Sequence, residues 1–341
     1  MDEKKDLTIL GIETSCDETA AAVVSGREIL SNIISSQIDI HRLYGGVVPE
    51  IASRNHTLAI SFVVREALDR AGIDFKDIDA IAVTYGAGLL GALLIGVSYS
   101  KALSYALNKP LMAVNHISGH IAANYLAHKD LEPPFICLLA SGGHTAIIEV
   151  KGYNQFSVIG TTQDDAAGEA FDKVARLLGL KYPGGPEIDR LAREGKPVIE
   201  LPRPYKGEKH LNFSYSGLKT AVMNIVNTAK MKDEIINPAD LAASFQRAAT
   251  QMLIENTLEA ASRYNYDKIA IAGGVGANSA LRSEMDLAAK EKNIKVYYPP
   301  LNLCTDNAAM IACQGYYMLK EGVKPADLTL DANASIKLAD L

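Results

Sequence analysis

The sequence predicts an α/β fold built as two similar halves. Two observations carry this: a strand–turn–strand–turn–strand pattern that occurs twice at a domain-sized spacing, and a βαβ unit that closes each copy. A third is size, since 341 residues at 48% hydrophobic and 22% charged suit about two domains, each with a core of its own.

The first copy begins with residues 7–15 as a strand, turns through Cys16-Asp17-Glu18, continues as strand 19–24 and ends in 29–37. Its closing unit is a buried strand at 78–85, an apolar helix at 89–107 and a strand at 110–114. The second copy reads 135–143, 144–150 and 156–163 as strands. It closes on strand 268–272, a Gly-rich turn at 273–277, helix 278–290 and strand 294–298. Both third strands end in Gln (Gln37, Gln163) with acids just beyond (Asp39; Asp164, Asp165). The order β-β-β-α-β-α-β, twice, describes the actin-like ATPase (ASKHA) architecture, a duplicated ribonuclease H-like fold whose halves flank a cleft. A helix at 306–321 is expected to return the chain to the first half. The expected division is 1–130 plus 308–341 against 131–307, with a helical insertion at about 165–260.

Composition excludes several classes. Cys16, Cys137, Cys304 and Cys313 lie far apart with no C-x-x-C, so neither a zinc ribbon nor a thioredoxin-type pair is available, and reduced thiols are expected. No basic region leads into a long apolar stretch at the N-terminus, which reads as cytoplasmic. The most apolar run, 89–97, is broken by Gly91 and Gly96, followed by Lys101, and reads as too short to span a membrane. A net charge of −6 means that a nucleic-acid partner must meet a local basic patch or a partner subunit.

Several motifs could carry chemistry. His116-Ile-Ser-Gly-His120 puts two imidazoles at i and i+4, one face of a helix, a spacing that can grip one metal ion. Ile117 stands where H-E-x-x-H proteases carry their general base, so a zincin is excluded. Two ordinary histidines at a helix start capped by Asn115 fit the spacing equally well. Asp306, opening a helix after a Pro-bounded loop, is the best third ligand; its other role is an N-cap, with Thr305 as rival and Cys304 as a competing soft ligand. Ser141-Gly-Gly-His-Thr145 could cradle an anion on backbone N–H groups, although a tight turn would also select Gly-Gly. The matching turn of the first half carries Glu13, Thr14, Ser15 and Asp17, which suits metal or water handling. Gly273-Gly-Val-Gly-Ala-Asn278 could press against a base and ribose. Asp164, Asp165, Asp172 and Asp189 could accept from ribose hydroxyls or an amine, or simply open helices. Residues 202–210 with Lys219 form the densest basic and aromatic stretch, either a nucleic-acid contact or a solvated loop.

Seven motifs in order, 11–19, 115–120, 141–145, 168–172, 182–186, 213–219 and 273–278, closely resemble the TsaD (Gcp, YgjD) family over almost the entire chain, and 44–50 looks like its bacterial branch. Gly276 and Tyr215 depart from the residues most frequent in that family, without removing a ligand. The resemblance implies transfer of threonylcarbamoyl from threonylcarbamoyl-AMP to N6 of the adenosine at position 37 of tRNAs reading ANN codons. It implies one Fe2+ or Zn2+ held by His116, His120 and Asp306, with Leu139, Ala140, Ser141, Gly142, Gly143, Asp172, Gly185, Asp189 and Asn278 on the adenylate substrate. The fold leaves room for an ATP- or ADP-type nucleotide and Mg2+ in the cleft. Glu13 and Asp17 are the candidate general bases. A TsaB-like inactive paralogue and a TsaE-like ATPase are the implied partners beside tRNA, with no membrane. The rival readings are an actin-fold small-molecule kinase or carbamoyltransferase, which would hold Mg2+ by carboxylates and have no use for the His pair, and a non-catalytic scaffold subunit.

Overall fold

The computed structural model describes residues 6–205 and 210–336. The chain forms two compact units, one of Met1–Pro133, Lys151–Phe156 and Pro299–Leu341, the other of Pro134–Val150 and Ser157–Tyr298.

The first unit opens with an antiparallel meander of β1 (Thr8–Glu13), β2 (Glu18–Ser25) and β3 (Glu28–Ser36), in which Glu13 lies opposite Ala20 and Glu18 opposite Ser36. Every residue of β1 is buried, as befits a central strand with an apolar middle, whereas β3 mixes buried and exposed positions as an edge strand does. Two helices follow, α1 (Ile38–Arg42) and α2 (Pro49–Ala71). Pro49 sits in the first turn of α2, where its missing N–H costs nothing, and Gly72 ends the helix at φ +68°. Then come β4 (Ala80–Gly86), α3 (Leu90–Leu107), β5 (Leu111–Asn115) and α4 (His116–Ala127). β4 runs parallel to β1 and β5 parallel to β4, giving the order β3-β2-β1-β4-β5.

The apolar run at 89–97, expected to be too short to span a membrane, is part of a longer helix. The glycines of the apolar run do not shorten it: α3 is a continuous 18-residue helix of mean hydropathy 1.3, long and apolar enough to cross a membrane by composition. It packs instead on β4 and α2. Gly91 and Gly96 sit where a Cβ would crowd the side chains of Ser53 and Thr14, so they serve close approach rather than helix breaking.

The second unit repeats the meander as β6 (Phe135–Ala140), β7 (Thr145–Gly152) and β8 (Gln155–Thr161). Four helices are then inserted: α5 (Ala167–Leu177), α6 (Gly184–Ala192), α7 (Ser216–Lys232) and α8 (Pro238–Tyr264). The unit closes on β9 (Lys268–Ala272), α9 (Ser279–Glu291) and β10 (Lys295–Tyr297), with strand order β10-β9-β6-β7-β8. α8 starts on an Asn237 cap with Pro238 in its first turn, and its Phe245 meets Phe171 of α5 edge-on at 5.0 Å in the core.

From Pro299 the chain belongs to the first unit again. It forms α10 (Leu301–Cys304) and α11 (Ala308–Lys320), the latter lying on α4 and β1. A Cβ at Gly11 would strike the Ala308 carbonyl, so the glycine of β1 is what admits α11 to this position.

Candidate metal centre and glycine cradle

In the first unit three neighbouring parallel strands deliver polar groups at their carboxyl ends: β1 ends in Glu13, β4 carries Thr84, and β5 runs directly into α4. Asn115 caps α4, its Oδ1 accepting from Ile117 N at 2.8 Å. The cap places His116 first in the helix and His120 one turn on, with ring centroids 4.6 Å apart. The capping role and the paired imidazoles thus coexist.

The residue that caps α11 is Asn307, whose Oδ1 accepts from Met310 N at 3.0 Å. Thr305 ends α10 instead, and Asp306 is left with no capping duty. Its Oδ1 lies 3.2 Å from His120 Nε2 and 3.5 Å from His116 Nε2. One ligand atom from each of the three falls within 4.8 Å of the others, the sole such His, Cys, Asp or Glu cluster among the described residues. Cys304 stays outside it, its Sγ 3.5 Å from the Pro299 and Pro300 carbonyl oxygens.

Two imidazoles and a carboxylate are a donor set that suits Zn2+ or Fe2+. The buried ring of His120 fits that role, since its Nδ1 has no hydrogen-bond partner and its Nε2 faces the Asp306 carboxylate without a well-directed hydrogen bond. Electrostatics agrees. Burial opposes charge on His116, but the Asp306 and Glu13 carboxylates outweigh it and hold its pKa well above the ordinary value. Burial likewise works to raise Asp306, and the two histidines overcome it, holding the carboxylate well below its usual range.

Glu13 is fully buried and both its oxygens are engaged. Oε1 accepts from Ser15 N; Oε2 accepts from Thr84 Oγ1 at 2.6 Å and sits 3.1 Å from His116 Nδ1. Asp17 is buried beside Glu18 and Cys16 on the same turn. Burial, with the Asp306 and Asp17 carboxylates nearby, pushes Glu18 up to about 9. His56 on α2 secures this turn, its Nδ1 2.8 Å from Thr19 Oγ1 and its Nε2 2.9 Å from the Cys16 carbonyl. Neither His56 nor Thr84 stands out in the sequence; the nearest signal for Thr84 is a lone hydroxyl in a strand otherwise apolar up to Val83.

In the second unit, Leu139 and Ala140 end β6, and Ser141 closes the turn: its N–H donates to the His144 carbonyl at 2.8 Å and its Oγ accepts from His144 N at 3.1 Å. Gly142 and Gly143 do not adopt positive φ, and a Cβ on either would meet nothing within 4 Å. Neither turn geometry nor packing therefore requires them, and their backbone presents an open face. Gly185 is equally open, next to Gly184, whose N–H donates to Asp172 Oδ1 at 2.6 Å. Gly273 differs, at φ +88° with its would-be Cβ 2.5 Å from the Ala140 carbonyl, which presses the Gly-rich turn onto the end of β6.

Other residues expected at the substrate are hydrogen-bonded within the protein. Asn278 caps α9 through Leu281 N and donates to Gln246 Oε1 at 2.8 Å. Asp189 accepts from Ser279 Oγ and from Arg193, each at 2.7 Å. Asp164 accepts from Ser214 Oγ and the N–H groups of Tyr215 and Ser216, at the start of α7. The basic stretch is neutralised where it is described: Arg203 pairs with Glu255 at 2.6 Å, and Lys219 pairs with Asp165 at 2.8 Å. Lys206 and Lys209 lie outside the described residues.

Residues 28–313 match the TsaD family, described as tRNA N6-adenosine threonylcarbamoyltransferase. The enzyme of that name from Clostridium perfringens (strain ATCC 13124) is 56% identical over 342 residues, covering 100% of both chains. Those from Clostridium kluyveri (strain ATCC 8527) and Clostridioides difficile (strain 630) are also 56% identical, each covering 98% of this chain and 99% of the relative. Among solved structures, HypF from T. kodakarensis aligns at TM-score 0.63 and 16% identity over 94% of this chain and 49% of its own. Component A of the Acidaminococcus fermentans (R)-2-hydroxyglutaryl-CoA dehydratase aligns at TM-score 0.54 and 15% identity, over 91% and 98%. At these identities the likeness speaks for the fold alone, which is that of the actin-like ATPases. Full-length identity to the named transferases speaks for the rest: the chain belongs to the TsaD family of tRNA N6-adenosine threonylcarbamoyltransferases.

Proposed function

We propose that this transferase works through a metal centre at His116, His120 and Asp306, taking its threonylcarbamoyl group from threonylcarbamoyl-AMP. The observation that carries the reading is the convergence of two imidazole nitrogens and one carboxylate within 4.8 Å, with His120 otherwise unpartnered. A bound Zn2+ or Fe2+ would supply Lewis-acid polarisation of the threonylcarbamoyl group. The protein's own residues do the rest. Glu13 holds His116 by its Nδ1, which turns Nε2 toward Asp306. The open backbone of Gly142, Gly143 and Gly185 would take the adenylate, where a side chain would obstruct it. Glu13, with both oxygens engaged, suits orientation better than proton abstraction, so Asp17 is the better-placed base. Adenylate is a good leaving group, which lowers the demand on any base.

A TsaB-like paralogue and a TsaE-like ATPase would work beside the chain. Exposed Leu43, Tyr44, Leu58 and Phe62, around α1 and α2, are apolar surface that such a subunit would cover. With its described cations paired, the 202–219 stretch would leave much of the tRNA backbone to Lys206, Lys209 and the partners. Action on tRNA would place the work in the cytoplasm.

The test is transfer of labelled threonylcarbamoyl to an ANN-decoding tRNA transcript by the purified protein with its partners, beside His116→Ala and Asp306→Ala. Each variant is expected to lose bound metal and at least about a hundredfold in rate. Full activity in both would remove the metal from the mechanism, and phosphorylation of a small substrate without transfer would make the chain a kinase.

A further inference from the structure

We infer that Thr84 is a positioning residue for the metal centre, acting through Glu13 on His116. The inference rests on the metal reading above and concerns how the site is held. Thr84 is fully buried in the middle of the sheet, on the strand between the one that ends in Glu13 and the one that leads into His116. β4 is fixed on both sides, Val83 pairing with Ile12 of β1 and Thr84 with Val114 of β5. The hydroxyl is therefore delivered at a set height between the carboxylate and the imidazole.

Thr84 Oγ1 donates to Glu13 Oε2 at 2.6 Å, and that same oxygen is 3.1 Å from His116 Nδ1. Ser15 N donates to Oε1. With a donor on each oxygen, the carboxylate plane cannot swing about its terminal torsion, so Oε2 stays aimed at the ring. A carboxylate can only accept, so His116 keeps a proton on Nδ1, and Nε2, on the Asp306 side, is the nitrogen left to exchange its proton for a metal. Ser15 Oγ, 3.2 Å from the same Nδ1, adds a second group that favours this ring orientation. A partner that fixes a ligand histidine's tautomer commonly contributes ten- to a hundredfold in metal affinity. Thr84 lies one bond further out, and without it Glu13 is held by Ser15 alone.

The alternative is a hydroxyl that finds a carboxylate because it is buried and must. The two separate by metal affinity, measured on the full chain by chelator competition with Zn2+ and by the visible absorption of bound Co2+. Thr84→Val, the same shape without the donor, is expected to weaken Zn2+ binding about tenfold and alter the Co2+ spectrum, while Thr84→Ser stays within about twofold of wild type. In a Glu13→Gln background the Thr84→Val effect should vanish, because its route is gone. Equal affinity in wild type and Thr84→Val overturns the assignment, as does equal loss in Ser and Val, or additivity with Glu13→Gln. A wild-type chain that takes up no stoichiometric Zn2+ or Fe2+ overturns the metal reading itself, a different result from any of these.

Discussion

The turn between β1 and β2 and the turn between β6 and β7 occupy the same place in two copies of one meander, yet their chemistry is opposite. In the first, Glu13, Thr14, Ser15 and Asp17 are all buried, and the Glu13, Thr14 and Ser15 side chains are spent on partners. In the second, Gly142 and Gly143 are exposed, negative in φ and faced by nothing. A scaffold that sets backbone geometry leaves the side chains free to diverge, so one copy became a closed donor network and the other an open cradle.

Glycine substitutions break that comparison most sharply. Gly273→Ala forces a Cβ against the Ala140 carbonyl at positive φ and is expected to cost about 1–3 kcal/mol of stability, read as a lowered urea midpoint. Gly185→Ala, with open space around it, should leave the midpoint unchanged and weaken adenylate binding about tenfold, ~1.4 kcal/mol, by calorimetry. Equal stability losses in the two would mean that the open face is packing space.

The closed side is sharpened by pH. Glu18 is pushed up to about 9, so the folded state prefers its neutral form. Its contribution is whole below the ordinary carboxylate value and is lost as pH rises toward 9. Glu18→Gln should therefore raise the Tm of the metal-free chain by about a few degrees at pH 8 and hardly at all at pH 5. A pH-independent shift would remove the titration from the account. The smallest effect belongs to Lys219→Ala, whose partly buried pairing with Asp165 is worth about 1 kcal/mol or less, Lys173 holding the same carboxylate. Because that charge is already matched, the salt slope of tRNA binding should not change; a slope reduced by about one would return Lys219 to the interface.

The duplicated strand order was legible because buried strands read as apolar runs and each copy ends on a βαβ unit. Helix ends were less so: Asp306 has the chemistry of a cap, but Asn307 performs it, and only the fold reveals which of two adjacent cap-forming residues is turned toward the histidines. The His pair was visible from its spacing. Thr84 and His56 were not, since their significance lies in partners 71 and 40 residues away in sequence. The pairing of the basic stretch was hidden for a related reason, because Asp165 and Glu255, its acidic partners, are distant in the chain.

The first unit is completed by residues from 299 onward, and its three candidate donors are numbered 116, 120 and 306. A ribosome making this protein therefore releases both histidines before the second unit and the aspartate only after it. On the proposed metal reading, the nascent chain would offer two ligands out of three until Asp306 emerged. Loading would then wait for the second unit to be made, and products broken off before Asp306 would carry no metal away.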